Sequence, residues 1–237
     1  MILGIETSGP ISSVALVSGG RRWSERFFES RRALNQMLAG QIADMCDGRP
    51  LSEAGIEGVA VGIGPGSFTG VRMGVALAKA VAHALGVPLV GVSAPEAMAT
   101  SLAVRPHYTI CVLQKARAGE VYMTVLVMGE GGIARELAPT QVLRLARALK
   151  AAEELLGRPP DHLCGDAARE HCGTIQEVFD SARVGDEPSS LVRAADVAAI
   201  GEARMADADP ETVFTLRPRY VRLSQAEREH GVDLKLR

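Results

Sequence analysis

Apolar residues follow two rhythms along this chain. Short apolar runs at residues 2–5 and 12–17 flank the polar turn Glu6-Thr7-Ser8-Gly9-Pro10, which predicts a β-hairpin, and residues 22–28 read as a third strand. Between 34 and 46 the spacing changes. Leu34, Met37, Leu38, Ile42 and Met45 recur at helical intervals until Asp47-Gly48-Arg49-Pro50 ends the pattern. Residues 59–63 are wholly apolar, as in a strand covered on both faces. A loop over 64–70, a helix over 71–85 closed by Gly86 and a buried strand over 89–92 complete this half.

The second half restarts the same plan. Strands are expected at 108–113 and 120–128 around Arg117-Ala118-Gly119, followed by a turn at 129–132. Residues 140–156 predict an amphipathic helix with Val142, Leu145, Leu149 and Leu156 on one stripe and Arg144, Arg147, Lys150 and Glu153 toward water. A short strand at 162–164 and a last helix at 190–205 follow. Hairpin first and helices later, twice over, predicts an α/β protein of two duplicated lobes facing each other across a cleft. The lobes would be 1–103 and 104–237, with helix 190–205 a candidate to pack back on the first. No residue identity links the halves, so duplication rests on element order alone.

Composition narrows this picture. With 47% hydrophobic residues and 23% charged ones, the chain is an ordinary folding sequence and not a disordered one. Aromatics are only 4% while glycines number 25, so the core is expected to be Ala, Val, Leu and Ile in α/β layers. Twenty-six basic against 28 acidic residues give a net charge of −2, which excludes a sequence-wide basic field; if RNA is involved, a partner should grip it. The start lacks a basic region followed by an apolar run, and the weakly charged stretch 59–95 is broken by Arg72, Lys79, His83 and several Gly and Pro. Neither a signal nor a membrane span is expected, and a cytoplasmic location follows. Cys46, Cys111, Cys164 and Cys172 have no metal-type spacing and read as reduced structural thiols.

The most informative segment is Gly62-Ile63-Gly64-Pro65-Gly66-Ser67-Phe68-Thr69-Gly70-Val71-Arg72-Met73-Gly74, a glycine-rich turn between a buried strand and a helix. Helix starts of this kind suit an anion. The standard templates nevertheless fail: no Gly-Lys-Ser/Thr opens the helix, Thr69 stands where a dinucleotide fingerprint needs glycine, and Pro65 and Thr69 spoil a nucleophile elbow at Ser67. The alternative is structural, with the glycines allowing turn dihedrals and close packing and Ser67 or Thr69 capping the helix. Gly70, Gly74, Ala78 and Ala82 form a smooth ridge at four-residue spacing, which suits either the chain's own sheet or a partner helix.

This loop, with Ile2-Leu3-Gly4-Ile5-Glu6-Thr7-Ser8 before it and Pro88-Leu89-Val90-Gly91-Val92-Ser93 after it, closely resembles the TsaB family. Arg117-Ala118-Gly119-Glu120-Val121-Tyr122 and the tail Pro218-Arg219-Tyr220-Val221-Arg222 add support, while 134–211 matches thinly. The resemblance implies two ribonuclease-H-like lobes of the actin and Hsp70 ATPase class. It also implies a role in making threonylcarbamoyladenosine beside the tRNA anticodon, as partner of the catalytic paralogue TsaD and with the small ATPase TsaE. The chain departs from the family at Arg31-Arg32-Ala33-Leu34-Asn35-Gln36, where many members carry His-Ser, and at Lys115, where many carry Asp.

The resemblance also implies that this chain is not itself the catalyst. TsaD-like proteins place two metal-binding histidines after the strand that follows the loop, and here Ala94 and Met98 occupy those positions. Neither offers a ligand for a hard or borderline cation. No metal site is expected, and His83, His107, His162, His171 and His230 read as surface or satisfied histidines. Glu6 sits at the turn where ATPases of the class carry a metal-holding Asp, and Lys115 to Gly119 lacks the Ser-Gly-Gly run of TsaD-like proteins. The expected docking surface is the helix pair 34–46 and 71–85, with Met37, Met45, Gly70, Arg72, Gly74 and Ala78 toward TsaD or, for the chain alone, a second copy. Glu6, Thr7, Ser8, Ser67 and Arg117 are the candidates for an anion or nucleotide at the junction. No cofactor is expected for the chain alone, with ATP or ADP left open for the complex. The competing classes are an independent sugar or acetate kinase and a glycoprotease-like peptidase; the first lacks its Asp, the second any Ser/His/Asp spacing.

Overall fold

The computed structural model describes residues 1–29, 34–185 and 190–221. The first half runs β1 (Ile2–Glu6), β2 (Ile11–Ser18), β3 (Arg21–Glu29), α1 (Leu34–Met45), β4 (Gly58–Gly62), α2 (Phe68–Leu85), β5 (Leu89–Val92) and α3 (Ala94–Ser101). Its five strands lie in the order β3-β2-β1-β4-β5. β1 and β2 form the expected antiparallel hairpin, with Ile2 opposite Val17 and Glu6 opposite Ser13, whereas β4 and β5 join in parallel.

The second half runs β6 (Thr109–Lys115), β7 (Glu120–Met128), β8 (Ala134–Glu136), β9 (Gln141–Arg144), α4 (Leu145–Leu156), β10 (His162–Cys164), α5 (Asp166–Glu170), α6 (Cys172–Val178), β11 (Arg183–Val184), α7 (Ala194–Arg204) and α8 (Thr212–Thr215). Its sheet reads β8-β7-β6-β10-β11, the same topology as the first, with β9 also paired to β7. The duplication expected from element order is therefore present in strand order. The helix expected over 140–156 begins only at Leu145, because Gln141 to Arg144 pair with β7 and satisfy their backbone there. Ser67 caps α2 by accepting the Gly70 N–H at 3.2 Å, which starts that helix three residues earlier than the apolar pattern does.

The elements stack in five layers, ordered as α1 and α2, the first sheet, α3 and α7, the second sheet, then α4 to α6. Strand alternation feeds them. Leu3, Ile5, Val14, Leu16, Val59 and Val61 face α1 and α2, while Ile2, Ala15, Val17 and Ala60 face the central layer. The central helices are exchanged: α7, from the second half, lies on β1, β2 and β4, and α3, from the first half, lies on β6, β7 and β8. α3 was not foreseen from periodicity, although Ser93 and Glu96 form a full capping box at its start.

Burial here depends on small residues. A Cβ at Gly4 would overlap the Ala194 carbonyl oxygen and lie 2.9 Å from the Ala198 Cβ, so glycine is what lets α7 seat on β1. Among the described residues, Phe28 and Phe179 are the aromatics in the buried core, as the composition implies. Gly4→Ala is expected to cost about 1–3 kcal/mol through overpacking, whereas Gly131→Ala, which meets open space, should leave stability unchanged; urea unfolding of both variants checks this.

Candidate functional site

The glycine-rich loop and the first hairpin turn come together as one joint. The Ser67 N–H donates to the Ser8 carbonyl at 2.7 Å, and the Thr7 hydroxyl donates to the Gly70 carbonyl at 2.8 Å. The approach is so close that a Cβ at Gly66, Gly70 or Gly74 would overlap, in turn, the Ser8 carbonyl, the Thr7 carbonyl and the Thr7 Oγ1. The ridge on α2 thus faces its own hairpin. At the helix start the Gly70 N–H is taken up by Ser67 Oγ, and the Ser67 N–H by the hairpin turn.

Glu6 closes the joint from beneath. Its carboxylate is fully buried, and its Oε1 accepts a short hydrogen bond from the Ser8 N–H. Among the described residues Oε2 and the Ser8 Oγ have no hydrogen-bond partner, and Gly62 leaves the room that Oε2 occupies. Burial pushes the Glu6 carboxyl above its ordinary value, partly offset by hydrogen bonds from Ser8 and Thr7. Such a group is a poor anion receptor, and a carboxylate held in this way is part of the packing.

The second half repeats the arrangement. Asp166 accepts the Lys115 N–H at 2.8 Å and its own helix's Ala167 N–H at 3.0 Å, and a Cβ at Gly165 would overlap the Leu113 carbonyl. Lys115 pairs through its ammonium with Glu170. Arg117 stands exposed on this β6–β7 turn, a different hairpin from the one that carries Glu6, Thr7, Ser8 and Ser67.

Several docking residues lie elsewhere than expected. Gly70, Gly74 and Ala78 are buried against the chain's own hairpin and sheet, and Met45 packs into the core beneath α1. Met37 is exposed, as are Ala76 and Ala80 on the outer side of α2. Arg72 is exposed but engaged: its guanidinium lies 4.0 Å over the Phe68 ring and its Nε donates to the Tyr220 hydroxyl at 2.7 Å. Ala94 and Met98 sit in the central core on α3. Among the described residues no three His, Cys, Asp or Glu side chains gather so as to hold a metal ion. His83 packs against Phe214 and His162 against Tyr108, while His230 and the departures at 31–33 lie outside the described residues.

Sequence reasoning missed a charged clamp across the lobes. Arg219 Nη2 donates to Glu136 on β8 at 2.8 Å, and its backbone N–H donates to Ile63 after β4 at 2.7 Å. Ser93 donates to Glu136 at 3.0 Å, and Arg204 to Glu96 at 2.8 Å, so the tail ties both sheets to the central helices. Only the tail motif hinted at it, because the partners are spread over more than a hundred positions.

Two lobes of identical strand order, each with a helix start seated on its own hairpin turn, define the duplicated ribonuclease-H-like class to which actin and Hsp70 ATPases belong. Residues 29–230 match the family model described as TsaD, tRNA N6-adenosine threonylcarbamoyltransferase. The chain is 31% identical to the tRNA threonylcarbamoyladenosine biosynthesis protein TsaB of Bacillus subtilis over 95% of its own length and 96% of that protein. It is 36% identical to the TsaB of Escherichia coli over 56% of this chain and 57% of that one. A crystal structure of a Pseudomonas aeruginosa protein described as similar to the peptidase YeaZ superposes with a TM-score of 0.70 at 25% identity, covering 93% of this chain and 99% of that one. The chain belongs to the TsaB family. Among the described residues no helix is long and apolar enough to cross a membrane.

Two outcomes follow from the joint. Gly74→Val should destabilise the folded chain by about 1–3 kcal/mol by driving into Thr7, read as a lower urea midpoint. Because the folded state holds the Glu6 proton more tightly than the unfolded chain does, ionising it lowers stability as pH rises past 4.5. Glu6→Gln should therefore be more stable than the parent at about pH 8, with the gain vanishing near about pH 4, in thermal melts across that range.

Proposed function

We propose that this chain is a non-catalytic subunit of a tRNA threonylcarbamoyladenosine-forming assembly in the cytoplasm, binding and activating the catalytic paralogue TsaD. Family membership supplies the pathway, since the B. subtilis and E. coli relatives carry that biosynthesis in their names. The joint carries the rest of the reading: the helix start where an ATPase of this class would meet phosphate is seated on the chain's own Glu6-Thr7-Ser8 turn. Nucleotide and metal chemistry then rest with the partners, TsaD and the ATPase TsaE, and tRNA is reached through the complex.

The docking surface is the outward side of α1 and α2. Met37, Ala76 and Ala80 are exposed there, with Met73 and Leu77 half-buried between them, and small side chains let a facing helix pair approach closely. A four-helix contact of this kind would bury a standard-size interface of about 1,600 Å². Differential contacts made there would favour the active arrangement of TsaD. The same face can pair two copies of the chain when TsaD is absent.

Reconstitution tests the proposal. TsaD-dependent tRNA modification should require this chain, and the chain alone should give none; product formed without TsaD, or full activity without this chain, overturns the reading. Ala76→Asp should weaken TsaD co-purification at least tenfold by placing a charge in the contact, with melting temperature unchanged. Unaltered binding would remove α2 from the interface.

A further inference from the structure

The outer strand of the first sheet carries a surface that the proposed function does not use. Among the described residues β3 ends the strand order of its sheet and pairs only with β2. Its register shifts where Leu16 opposes Ser24 and Val17 opposes Arg22, so Trp23 is the extra residue of a bulge. Bulges redirect side chains at sheet edges. Trp23, the chain's single tryptophan, is 71% exposed, and Phe27 is 48% exposed. Four residues of strand separate them by about 13 Å.

Arginines lie along this strand, Arg26 on the α1 side and Arg193 beside Phe27 on the α7 side. Arg21, Arg22 and Arg26 are exposed on the same strand, and the Arg193 guanidinium lies 5.7 Å from the Phe27 ring centre. The acid nearest to them, Glu25, is a buried anchor with 2% of its side chain exposed. It accepts from Arg193, from Arg22 at 3.1 Å and from the Ala195 N–H at 3.1 Å, and so holds the guanidinium groups in place. Asp44 reaches Arg26 at 4.0 Å, Glu29 is exposed at the far end of the strand, and the half-buried Asp196 at the start of α7 interacts with Arg193 and Arg22.

We propose that β3 binds unpaired RNA nucleotides, with Trp23 and Phe27 as stacking platforms and Arg21, Arg22 and Arg26 on the phosphates. Bases stack on exposed aromatic faces whatever their sequence, and arginines beside them neutralise the backbone. An acidic peptide would use the arginines and leave the rings bare; an apolar peptide would meet guanidinium groups. The inference rests on the reading above that the chain works on tRNA, and adds a direct contact where that reading gives the chain only an indirect one.

The single tryptophan makes the test direct. Full-length chain at low salt is titrated with oligoadenylate and with unmodified tRNA while Trp23 emission is followed, alone and with TsaD present. Binding should quench the emission, fade steeply with added salt, and weaken about tenfold in Phe27→Ala and in the Arg21→Glu, Arg26→Glu double variant. These exposed positions should leave melting temperature unchanged. No quenching in either setting, or quenching indifferent to both variants, overturns the site, as does an equal response to polyglutamate, which points to an acidic protein instead. Co-purification with TsaD is measured in parallel: if it persists while quenching is absent, only the strand site falls, and if it fails in the parent chain, the functional reading falls.

Discussion

Two sheets share a single layer of two helices, and the thickness of that layer governs the rest of the molecule. α7 can lie on β1, β2 and β4 only because Gly4 offers no side chain beneath Ala194 and Ala198. The helix is then fixed at both ends. Ser13 and Glu25 accept its first N–H groups, and Glu202 near its last turn accepts from Gly19 and Gly20 at 2.8 and 2.7 Å. Burial beside this start pushes the Asp196 carboxyl up to about 6. Because each half of the chain supplies the helix that covers the other half's sheet, neither lobe can complete its core alone.

The same closeness decides what the glycine-rich loop does. The glycine-rich loop is drawn against the first hairpin, with Thr7 and Ser8 in the space that side chains at Gly66, Gly70 and Gly74 would take. The second lobe closes its own turn with Asp166. Arg219 bridges the sheets, and the exposed apolar residues Met37 on α1 and Trp23 and Phe27 on β3 lie on the outer side of the first lobe.

Much of the fold was legible because burial follows period. The apolar runs of β1, β2, β4 and β5 and the helical spacing of α1 mark their elements directly. β9 was missed because Gln141 to Arg144 continue a helical stripe in sequence, and only pairing with β7 makes them a strand. α3 was missed because Ala94 to Ser101 is short and apolar on most sides, as a helix between two sheets must be. The glycine loop and the hairpin turn were legible as local signals, but Glu6, Thr7, Ser8 and Ser67 were grouped with Arg117 as contacts for an anion, and the fold brings the first four together while Arg117 lies on another hairpin. The interlobe clamp was not legible, since Arg219, Glu136 and Ser93 look like unrelated polar residues until the chain folds.

By itself, the sequence determined most of the strands and the main helices, the aromatic-poor core and the family. Tertiary structure alone decided which way the Gly70, Gly74 and Ala78 ridge points. A smooth helix face is equally suited to the chain's own hairpin and to a partner, and periodicity carries no information on which comes close. What settles it is the distance between Thr7 and α2, a contact across more than sixty residues that exists only once the first lobe has folded.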